Sequence, residues 1–179
     1  QKADFGGIGR LEATGFSIGA KGYIGTGVTG GAVSNDFWEY DPSNNTWTQK
    51  SDFGGTARGG AVGFSIGSKG YIGTGYHYNG STPTDFWEFD PSTNSWSQKA
   101  DFGGGGRYRA VGFSIGAKGY IGAGSVGSGK DFWEYDPSTN SWLQKADFGG
   151  SERYEATGFS IGNKGYIGTG HDDGVSGTG

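Results

Sequence analysis

The chain has 179 residues, a formal net charge of −4 and a pI near 5.1. Its Lys and Arg residues recur singly instead of clustering, so it lacks the basic stripe that would neutralise nucleic-acid phosphates. No apolar run approaches the roughly 20 residues that span a bilayer, and the absence of Cys excludes disulfides and thiolate metal sites. We therefore expect no nucleic-acid partner and no membrane insertion.

The composition indicates a folded chain in spite of its glycine content. Gly accounts for 41 residues, a level often associated with disorder, yet aromatic residues make up 16% of the chain. Disordered chains are poor in aromatic groups, whose burial offsets the entropy lost on ordering. The glycines are therefore expected to occupy defined structural positions.

A repeated sequence motif runs through the whole chain. The phrase GFSIG begins at Gly15, Gly63, Gly112 and Gly158. Each copy is followed by xKGYIGxG and a variable stretch, and the first three copies continue with DFWE[YF]DPSxNxW and QK[AS]DFGG. We divide this single domain into repeats 1–48, 49–97, 98–143 and an incomplete 144–179. A period of about 50 residues with recurring Gly and aromatic positions is typical of a β-propeller.

Residue types and turn chemistry predict four strands in the first repeat. These strands, named A to D, cover residues 13–18, 22–27, 36–40 and 46–50. Strand A places Phe16 and Ile18 on one face and only small residues on the other, which suits a narrow site. A tight turn at 19–22 joins A to B, and a Pro- and Asx-containing turn at 41–45 joins C to D.

The repeat resembles the kelch repeat. Tyr40-Asp41-Pro42, followed by Trp47, is similar to the Tyr-Asp-Pro and downstream Trp of that family. The same residues recur as Phe89-Asp90-Pro91 with Trp96 and as Tyr135-Asp136-Pro137 with Trp142. The resemblance implies an all-β fold, a kelch-type β-propeller segment of four-stranded antiparallel blades with three complete repeats and an incomplete fourth. The regular placement of the Trp residues predicts packing between blades.

The chain differs from the families that it resembles in two features, a Thr-Gly pair at the end of strand B and the absence of Cys. The double Gly that ends the second strand of a kelch repeat is Thr26-Gly27 here. The near-literal repeats also resemble secreted bacterial proteins described as galactose-oxidase-like, which implies a secreted or cell-surface location. The copper site of galactose oxidase needs a Cys linked to Tyr, and this chain has no Cys. The 41–45 turn lacks the Glu and Gly of a calcium loop, so we predict neither a metal nor another cofactor.

Blade connectivity predicts which loops share a face. In an up-and-down blade the B–C and D–A connections lie on one face, and the A–B and C–D turns lie on the opposite one. The B–C loops differ between repeats and cover residues 28–35, 76–84, 125–130 and 171 onward. Variable loops on a constant scaffold are typical of a recognition surface.

An Arg follows DFGG after two intervening residues in every repeat. These residues are Arg10, Arg58, Arg107 and Arg153. Their place at the entrance to strand A puts them at the mouth of the axis on the variable-loop face. Guanidinium groups bind carboxylates and phosphates through paired hydrogen bonds, and the kelch resemblance implies acidic peptides as ligands of such residues. Alternatively, each Arg pairs with the Asp of its own DFGG segment and pins the D–A connection; those Asp residues are Asp4, Asp52, Asp101 and Asp147.

The position two residues after each Arg is less uniform. It is occupied by Glu12, Gly60, Arg109 and Glu155, so repeats two and three should form the more electropositive sector. We predict a site for an acidic peptide or acidic sugar bounded by Arg58, Arg107, Arg109 and Tyr76, with His77 and Tyr78 overhanging it. The default interpretation of His77 is a solvated loop residue.

Three functions are consistent with these patterns. The leading one is a non-enzymatic binding propeller that recognises a protein, peptide or glycan through the B–C and D–A loops. The alternatives are a structural repeat of a cell-surface or filament assembly, and a carbohydrate-active propeller enzyme without the copper site. Because strands C and D occur once less often than A and B, we expect the chain to belong to a longer propeller of about six to eight blades or to an assembly.

Overall fold

The computed structural model describes residues 1–125 and 129–172, which contain strands and no helix. Blade 1 consists of β1 (Thr14–Ile18), β2 (Lys21–Gly25), β5 (Phe37–Asp41) and β6 (Thr46–Gln49). Blade 2 consists of β7 (Val62–Ile66), β8 (Lys69–Gly73), β9 (Phe86–Asp90) and β10 (Ser95–Lys99). Blade 3 consists of β11 (Val111–Ile115), β12 (Lys118–Gly122), β13 (Phe132–Asp136) and β14 (Ser141–Lys145). Each blade is one antiparallel sheet with its strands in chain order.

The remaining strands are shorter or pair only once. Blade 4 is the hairpin of β16 (Thr157–Ile161) and β17 (Lys164–Gly168). Two small pairs lie among the connections: β3 (Val28–Thr29) with β4 (Ala32–Val33), and β15 (Arg153–Tyr154) with β18 (His171–Asp172). The predicted all-β class and the A–B–C–D order are therefore confirmed.

The second strand of blade 1 ends earlier than the sequence predicts. In blade 1 the predicted strand B reached residue 27, but β2 stops at Gly25. The next two residues leave extended geometry, because Thr26 has φ +57° and Gly27 has φ +97°. Left-handed backbone cannot continue a strand, and it is unusual for a β-branched residue such as Thr. Thr26 therefore occupies a position that glycine would adopt without strain.

The A strands line the axis and approach one another closely. β7 packs against β1, β11 packs against β7, and β16 packs against β11. A Cβ added at Gly63 would lie 2.5 Å from Thr14 Oγ1 and 3.0 Å from Phe16 Cδ1. The small residues of strand A are thus required by the neighbouring blade, as the sequence predicted.

Aromatic rings form the core between blades. The Phe37 ring of blade 1 is fully buried, and its centroid lies 4.9 Å from that of Phe89 and 5.0 Å from that of Trp96 in blade 2. The same arrangement joins Phe86 of blade 2 to Tyr135 and Trp142 of blade 3, at 4.9 Å and 5.0 Å. Interleaved edge contacts of this kind favour a fixed angle between neighbouring sheets, which confirms packing between blades for these Trp residues.

The four inner strands form an arc that is open at its end. Within the described residues no comparable packing joins β16 back to β1. Phe159 and Ile161 of β16 are 50% and 63% exposed, whereas the equivalent Phe64 and Ile66 of blade 2 are buried. The apolar side of blade 4 is consequently uncovered.

Candidate functional site

The B–C loops and D–A connections lie side by side on one face, which we call the loop face. Short antiparallel bridges join Leu11 to Val28, Gly59 to Tyr76 and Tyr108 to Ser125, and β15 joins β18 in the same way. The predicted adjacency of these connections is therefore confirmed. Of the predicted variable loops, residues 126–128 and 173–179 lie outside the described residues.

The Arg that follows each DFGG segment is held inside its blade. The Arg58 guanidinium donates to Asp85 through both Nη atoms, at 2.6 and 2.8 Å, and its Nη1 also donates to the carbonyl of Thr74 at 3.0 Å. The Arg58 Cζ lies 4.8 Å from the centre of the Phe53 ring. Asp85 in addition accepts a hydrogen bond of 2.7 Å from Trp87 Nε1.

This unit, which we call the Arg–Asp node, is repeated in the neighbouring blades. The equivalent ion pairs are Arg10 with Asp36 and Arg107 with Asp131, both at 2.5 Å. The hydrogen bond from Arg10 is the main cause that lowers the pKa of the Asp36 carboxyl to about 2. Each of these nodes thus brings together four residues from two separate segments of the sequence. They are the Phe of DFGG, the Arg, and the Asp and Trp of DFWE.

The nodes correct two expectations drawn from the sequence. In the first three repeats the partner of the Arg is the Asp at the start of DFWE, so the expected pairing with Asp4, Asp52 or Asp101 of DFGG is wrong. The side chains of Arg58 and Arg107 are 0% exposed, and that of Arg10 is 4% exposed. A guanidinium enclosed between its carboxylate, a backbone carbonyl and an aromatic ring has no free donor face for a ligand.

Arg153 of the fourth repeat differs from the other three. It donates to the carbonyls of Ser151 and Thr169, at 3.1 and 2.9 Å, and among the described residues it has no carboxylate partner. It is half-buried beside Phe148. Arg153 therefore keeps the backbone contacts of the node without its ion pair.

The residues two positions after these Arg residues meet at the mouth of the axis. Arg109 Nε donates to Glu12 Oε1 at 3.0 Å, and Arg109 Nη1 lies 2.9 Å from Glu155 Oε1. The Tyr76 hydroxyl donates to Glu12 Oε2 at 2.6 Å. We call Glu12, Tyr76, Arg109 and Glu155 the axial cluster; it joins side chains of all four repeats.

Backbone hydrogen bonds support the axial cluster from below. Gly60 N donates to Glu12 O at 3.1 Å, Arg109 N donates to Gly60 O at 2.9 Å, and Glu155 N donates to Arg109 O at 3.1 Å. The backbone φ lies between +54° and +61° at each of these four positions, which are Glu12, Gly60, Arg109 and Glu155. The same turned backbone therefore enters strand A in every repeat and brings the four positions together.

Hydrogen bonding fixes the charge states within the axial cluster. Burial by itself raises the pKa of the Glu12 carboxyl, but hydrogen bonds from Tyr76 and Arg109 and the charge of Arg109 outweigh it, so the pKa lies below its ordinary value. The hydrogen bond to Glu12 is the main cause that raises the pKa of Tyr76 to about 12. Near neutral pH Glu12 is therefore a carboxylate and Tyr76 a neutral phenol.

The opening of the axis as a whole is not electropositive, although repeats two and three carry its more positive side. Arg109 contributes one positive charge, and Glu12 and Glu155 contribute two negative charges, so these three groups together carry −1. The equivalent position of repeat two is Gly60, which adds no charge. The opening thus presents one guanidinium that is already shared between two carboxylates.

An aromatic recess lies next to the axial cluster on the loop face. A cavity of about 260 Å³ is lined by Tyr76, Gly80, Tyr108 and Arg109. The rings of Tyr76 and Tyr108 meet edge to face with centroids 5.3 Å apart, and the Arg109 Cζ lies 5.6 Å from the Tyr108 ring centre. Tyr78, on the same loop, is 80% exposed.

His77 lies between these loop residues but is not freely solvated. Its Nδ1 is 3.1 Å from Ser81 Oγ, and its Nε2 is buried without a hydrogen-bond partner among the described residues. Burial, and secondarily the charge of Arg58, lowers the pKa of the His77 imidazole. The ring is therefore neutral near pH 7 and contributes no charge to ligand binding.

The described residues offer no cluster of three or more His, Asp or Glu side chains arranged to hold a metal ion. At the C–D turn Asp41 accepts a hydrogen bond of 2.9 Å from Ser43 N, which is the geometry of an Asx turn. None of the described segments forms a helix of the length and hydropathy needed to cross a membrane.

The comparisons with known proteins bear on the fold. No family model matches the chain, and no curated protein matches it. The structure of YjhT, a β-propeller-like protein, is similar, with a TM-score of 0.76 and 20% sequence identity. The fold is that of a β-propeller segment. The similarity covers 88% of this chain and 58% of that chain, so the chain spans less than two thirds of that structure's length.

The sequence located part of this site and missed the rest. The repeat pattern singles out the position two residues after each Arg, and in the structure Arg109 and Tyr76 line the same recess. In the sequence Glu12 and Glu155 stand out only as departures from a basic pattern, and the repeat pattern does not assign Tyr108 to the site. A Tyr precedes this position in repeats three and four, as Tyr108 and Tyr154, but Leu11 and Gly59 stand there in repeats one and two, so the sequence signal for Tyr108 is partial.

Proposed function

We propose that the chain is a non-enzymatic binding module that recognises a peptide or glycan segment of its partner on the loop face. The observation that carries this proposal is the recess between Tyr76 and Tyr108, beside the guanidinium of Arg109. A propeller scaffold with constant strands holds this recess, and loops that differ between repeats surround it. Rigid aromatic rings beside a charged hydrogen-bonding group are typical of recognition surfaces.

The charge states of the site favour binding over general acid–base catalysis. A catalytic acid or base works best with a pKa near the operating pH. The pKa of Glu12 is lowered, and that of Tyr76 is raised to about 12, so both move away from neutrality. Arg109 is shared between two carboxylates, an arrangement suited to orienting a ligand's hydroxyl, amide or amine groups.

The electrostatics also favour one ligand class over another. The net −1 of Glu12, Arg109 and Glu155 disfavours strongly acidic ligands. Tyr76 and Tyr108 provide faces for a sugar ring or an apolar side chain. We therefore propose a neutral or basic peptide or a neutral glycan, in place of the acidic ligand expected from the sequence.

A binding screen tests this function directly. Arrays of neutral, basic and acidic oligosaccharides and peptides would be probed with the chain, and positives would be titrated calorimetrically. We expect saturable binding of a neutral or basic probe, reduced at least about tenfold by Tyr108→Ala or Arg109→Ala, as for loss of a central contact.

The matched control for Arg109→Ala is Lys69→Ala. Lys69 pairs with Asp90 beside the A–B turn, on the face opposite the loops, so its loss should leave binding unchanged. If Tyr108→Ala and Arg109→Ala both bind the probe as strongly as the unmodified chain does, the proposed site is contradicted. Turnover of a bound sugar would contradict a purely binding role.

We also propose a kelch type for the repeats and a secreted or cell-surface location for the protein. The kelch assignment is supported by the Tyr-Asp-Pro or Phe-Asp-Pro residues and the downstream Trp of each C–D hairpin. A secreted or cell-surface location is supported by the resemblance to galactose-oxidase-like repeats. Immunoblotting of surface, medium and cell fractions of the source cells would test the location.

A further inference from the structure

The B–C loop of repeat two, residues 76–84, forms one wall of the aromatic recess. Tyr76 and Gly80 of this loop both line the recess. The loop is closed on itself by two backbone hydrogen bonds, from His77 N to Ser81 O and from Gly80 N to His77 O, each 2.9 Å long. The position of this wall therefore depends on the turn that surrounds His77.

The hydrogen bonds around His77 determine which ring nitrogen carries the proton. Asn79 Oδ1 accepts from Ser81 N at 3.0 Å and from the Ser81 hydroxyl at 2.7 Å. The Ser81 hydroxyl gives its one proton to Asn79, so its contact of 3.1 Å with His77 Nδ1 has to be donated by the ring. The proton of the neutral imidazole therefore lies on Nδ1, and Nε2 is the unprotonated nitrogen.

The Nε2 atom of His77 cannot take up a proton without a change in the loop. The atom is buried, and it has no hydrogen-bond partner among the described residues. A protonated imidazole carries an N–H donor on both nitrogens, and a buried charged donor without an acceptor is strongly destabilising. Protonation therefore favours a conformation of the loop in which Nε2 reaches solvent.

Two charged groups face the imidazole, one from each of two neighbouring connections. The charge of Arg58 opposes protonation of His77, and the charge of Asp85 favours it. The 76–84 loop itself holds no Lys, Arg, Asp or Glu, and the charges of the axial cluster act on the Tyr76 hydroxyl. Burial and Arg58 together outweigh Asp85, so the pKa of His77 lies below its ordinary value.

We propose that protonation of His77 opens the 76–84 loop and thereby speeds the release of ligand from the recess at mildly acidic pH. Opening removes Tyr76 and Gly80 from the wall of the recess, so a bound ligand loses the contacts on that side. The effect on a ligand rests on the proposed binding function, whereas the opening of the loop does not.

The sign of the pH dependence follows from the two states of the loop. In an open loop the imidazole is solvated and has its ordinary pKa of about 6.5, whereas in the closed loop the pKa of His77 is lower. The closed loop therefore has its full stability above about pH 6.5 and loses stability as the pH falls below that value. Between about pH 7.5 and about pH 5.5 the ratio of open to closed loop should rise about three- to tenfold.

Amide hydrogen exchange of the full 179-residue chain tests the opening without any ligand. Protection factors, which remove the direct effect of pH on exchange chemistry, would be compared at the two pH values. We expect those of the Tyr76, His77 and Gly80 amides to fall about three- to tenfold at the lower pH. The internal control is the bridge between Tyr108 and Ser125, the equivalent contact of repeat three, which should keep its protection. Unchanged protection of the three loop amides would overturn the proposal.

Two variants assign the opening to one imidazole. Carboxyl groups titrate mostly below this pH interval, so His77 and His171 are the side chains that change charge within it. His77→Phe should show the same protection of the loop at both pH values, because its ring takes up no proton. His171→Gln is the matched control, since His171 is exposed and lies 3.6 Å from Glu155, and it should keep the loss of protection. A loss that persists in His77→Phe would overturn the proposal.

An NMR titration of the His77 ring gives a second measurement that needs no variant. The pKa of His77 in the unmodified chain should lie below about 6.5, and a pKa at or above this value would overturn the proposal. The effect on binding would be measured with the neutral probe that binds most tightly in the screen, because its own charge does not change with pH.

Dissociation of that probe should be about three- to tenfold faster at the lower pH, and it should be independent of pH in His77→Phe. A dissociation rate that does not change with pH, in a chain whose loop opens, would overturn the role of the loop in release. Failure of every probe to bind at the higher pH would contradict the proposed function instead, and the exchange measurements would still decide whether His77 opens the loop.

Discussion

At the scale of single residues, Arg58 shows that a sequence pattern typical of a ligand-binding Arg can belong to a structural Arg. It lies at the entrance to strand A, yet it is fully buried and bonded to Asp85 through both Nη atoms. Burial of an ion pair is tolerated when each of its nitrogen and oxygen atoms has a hydrogen-bond partner. The Arg–Asp node satisfies this condition with the carbonyls of Thr56 and Thr74.

We expect Arg58→Ala to destabilise the fold by about 3 to 5 kcal/mol, because it leaves the Asp85 carboxylate partly buried without its partner. Urea denaturation followed by Trp fluorescence would measure this change. Arg153→Ala is the matched control, since Arg153 has the same position but no carboxylate partner among the described residues. Equal losses of stability in both variants would show that the ion pair is not what makes the node important.

Thr74 allows a second test at the residue scale. It has φ +59°, it is 0% exposed, and its Oγ1 has no hydrogen-bond partner among the described residues. Left-handed backbone costs a non-glycine residue about 1 to 2 kcal/mol, and an unsatisfied buried hydroxyl adds about 1 to 3 kcal/mol. Thr74→Gly removes both costs, and it loses a buried methyl group and about 0.5 to 1 kcal/mol of backbone entropy.

We therefore expect Thr74→Gly to stabilise the chain by about 1 kcal/mol, seen as a higher midpoint of thermal or urea unfolding. Thr56→Gly is a control for the general effect of added glycine, because Thr56 is exposed and is not among the residues with positive φ. A lower midpoint for Thr74→Gly would mean that packing of the Thr74 methyl group outweighs the backbone strain.

At the scale of secondary-structure elements, contact between blades depends on glycine in the first two strands. A Cβ added at Gly119 of β12 would overlap the ring of Phe64 in blade 2. Gly22 occupies the same position in β2, but there a Cβ would meet only Tyr40 Cβ, at 3.9 Å. Blade 1 has no preceding blade in this structure, which explains the difference.

We expect Gly119→Ala to cost about 1 to 3 kcal/mol, the usual range for overpacking a core. Gly22→Ala should change the free energy of unfolding by less than about 0.5 kcal/mol. Both values come from urea denaturation of otherwise identical proteins. A similar cost for the two variants would indicate that glycine is needed by the strand itself and not by the neighbouring blade.

At the scale of the whole molecule, stability should fall toward blade 4. Repeat architectures are stabilised mainly by contacts between neighbours, and blade 4 contacts blade 3 alone and exposes Phe159, Ile161 and Tyr166. We expect amides of Lys164–Gly168 to exchange at least about a hundredfold faster than those of Lys69–Gly73 in blade 2, because local opening needs less free energy. Hydrogen exchange with mass spectrometry would measure both segments in one experiment, and equal protection would contradict an open end to the arc.

The sequence by itself determined the blades. A fixed period, the alternation of large and small residues in strand A and the turn residues between strands are local signals, so the strand order and the pairing of B–C with D–A connections followed from them. The close approach at Gly63 was predictable for the same reason, because a residue that is small in every repeat has to face a neighbouring strand, and at Gly63 the neighbours are the side chains of Thr14 and Phe16.

Only the tertiary structure decided how the side chains on the loop face are used. Whether Arg58 binds a ligand or a carboxylate depends on Asp85, which lies 27 residues away and becomes its neighbour only when strand C adds to the sheet. The sign of charge at the axis depends likewise on Glu12 and Arg109, which are 97 residues apart. Electrostatic and hydrogen-bond partners are chosen by distance in space, and a repeat pattern fixes that distance within a blade but not across the axis.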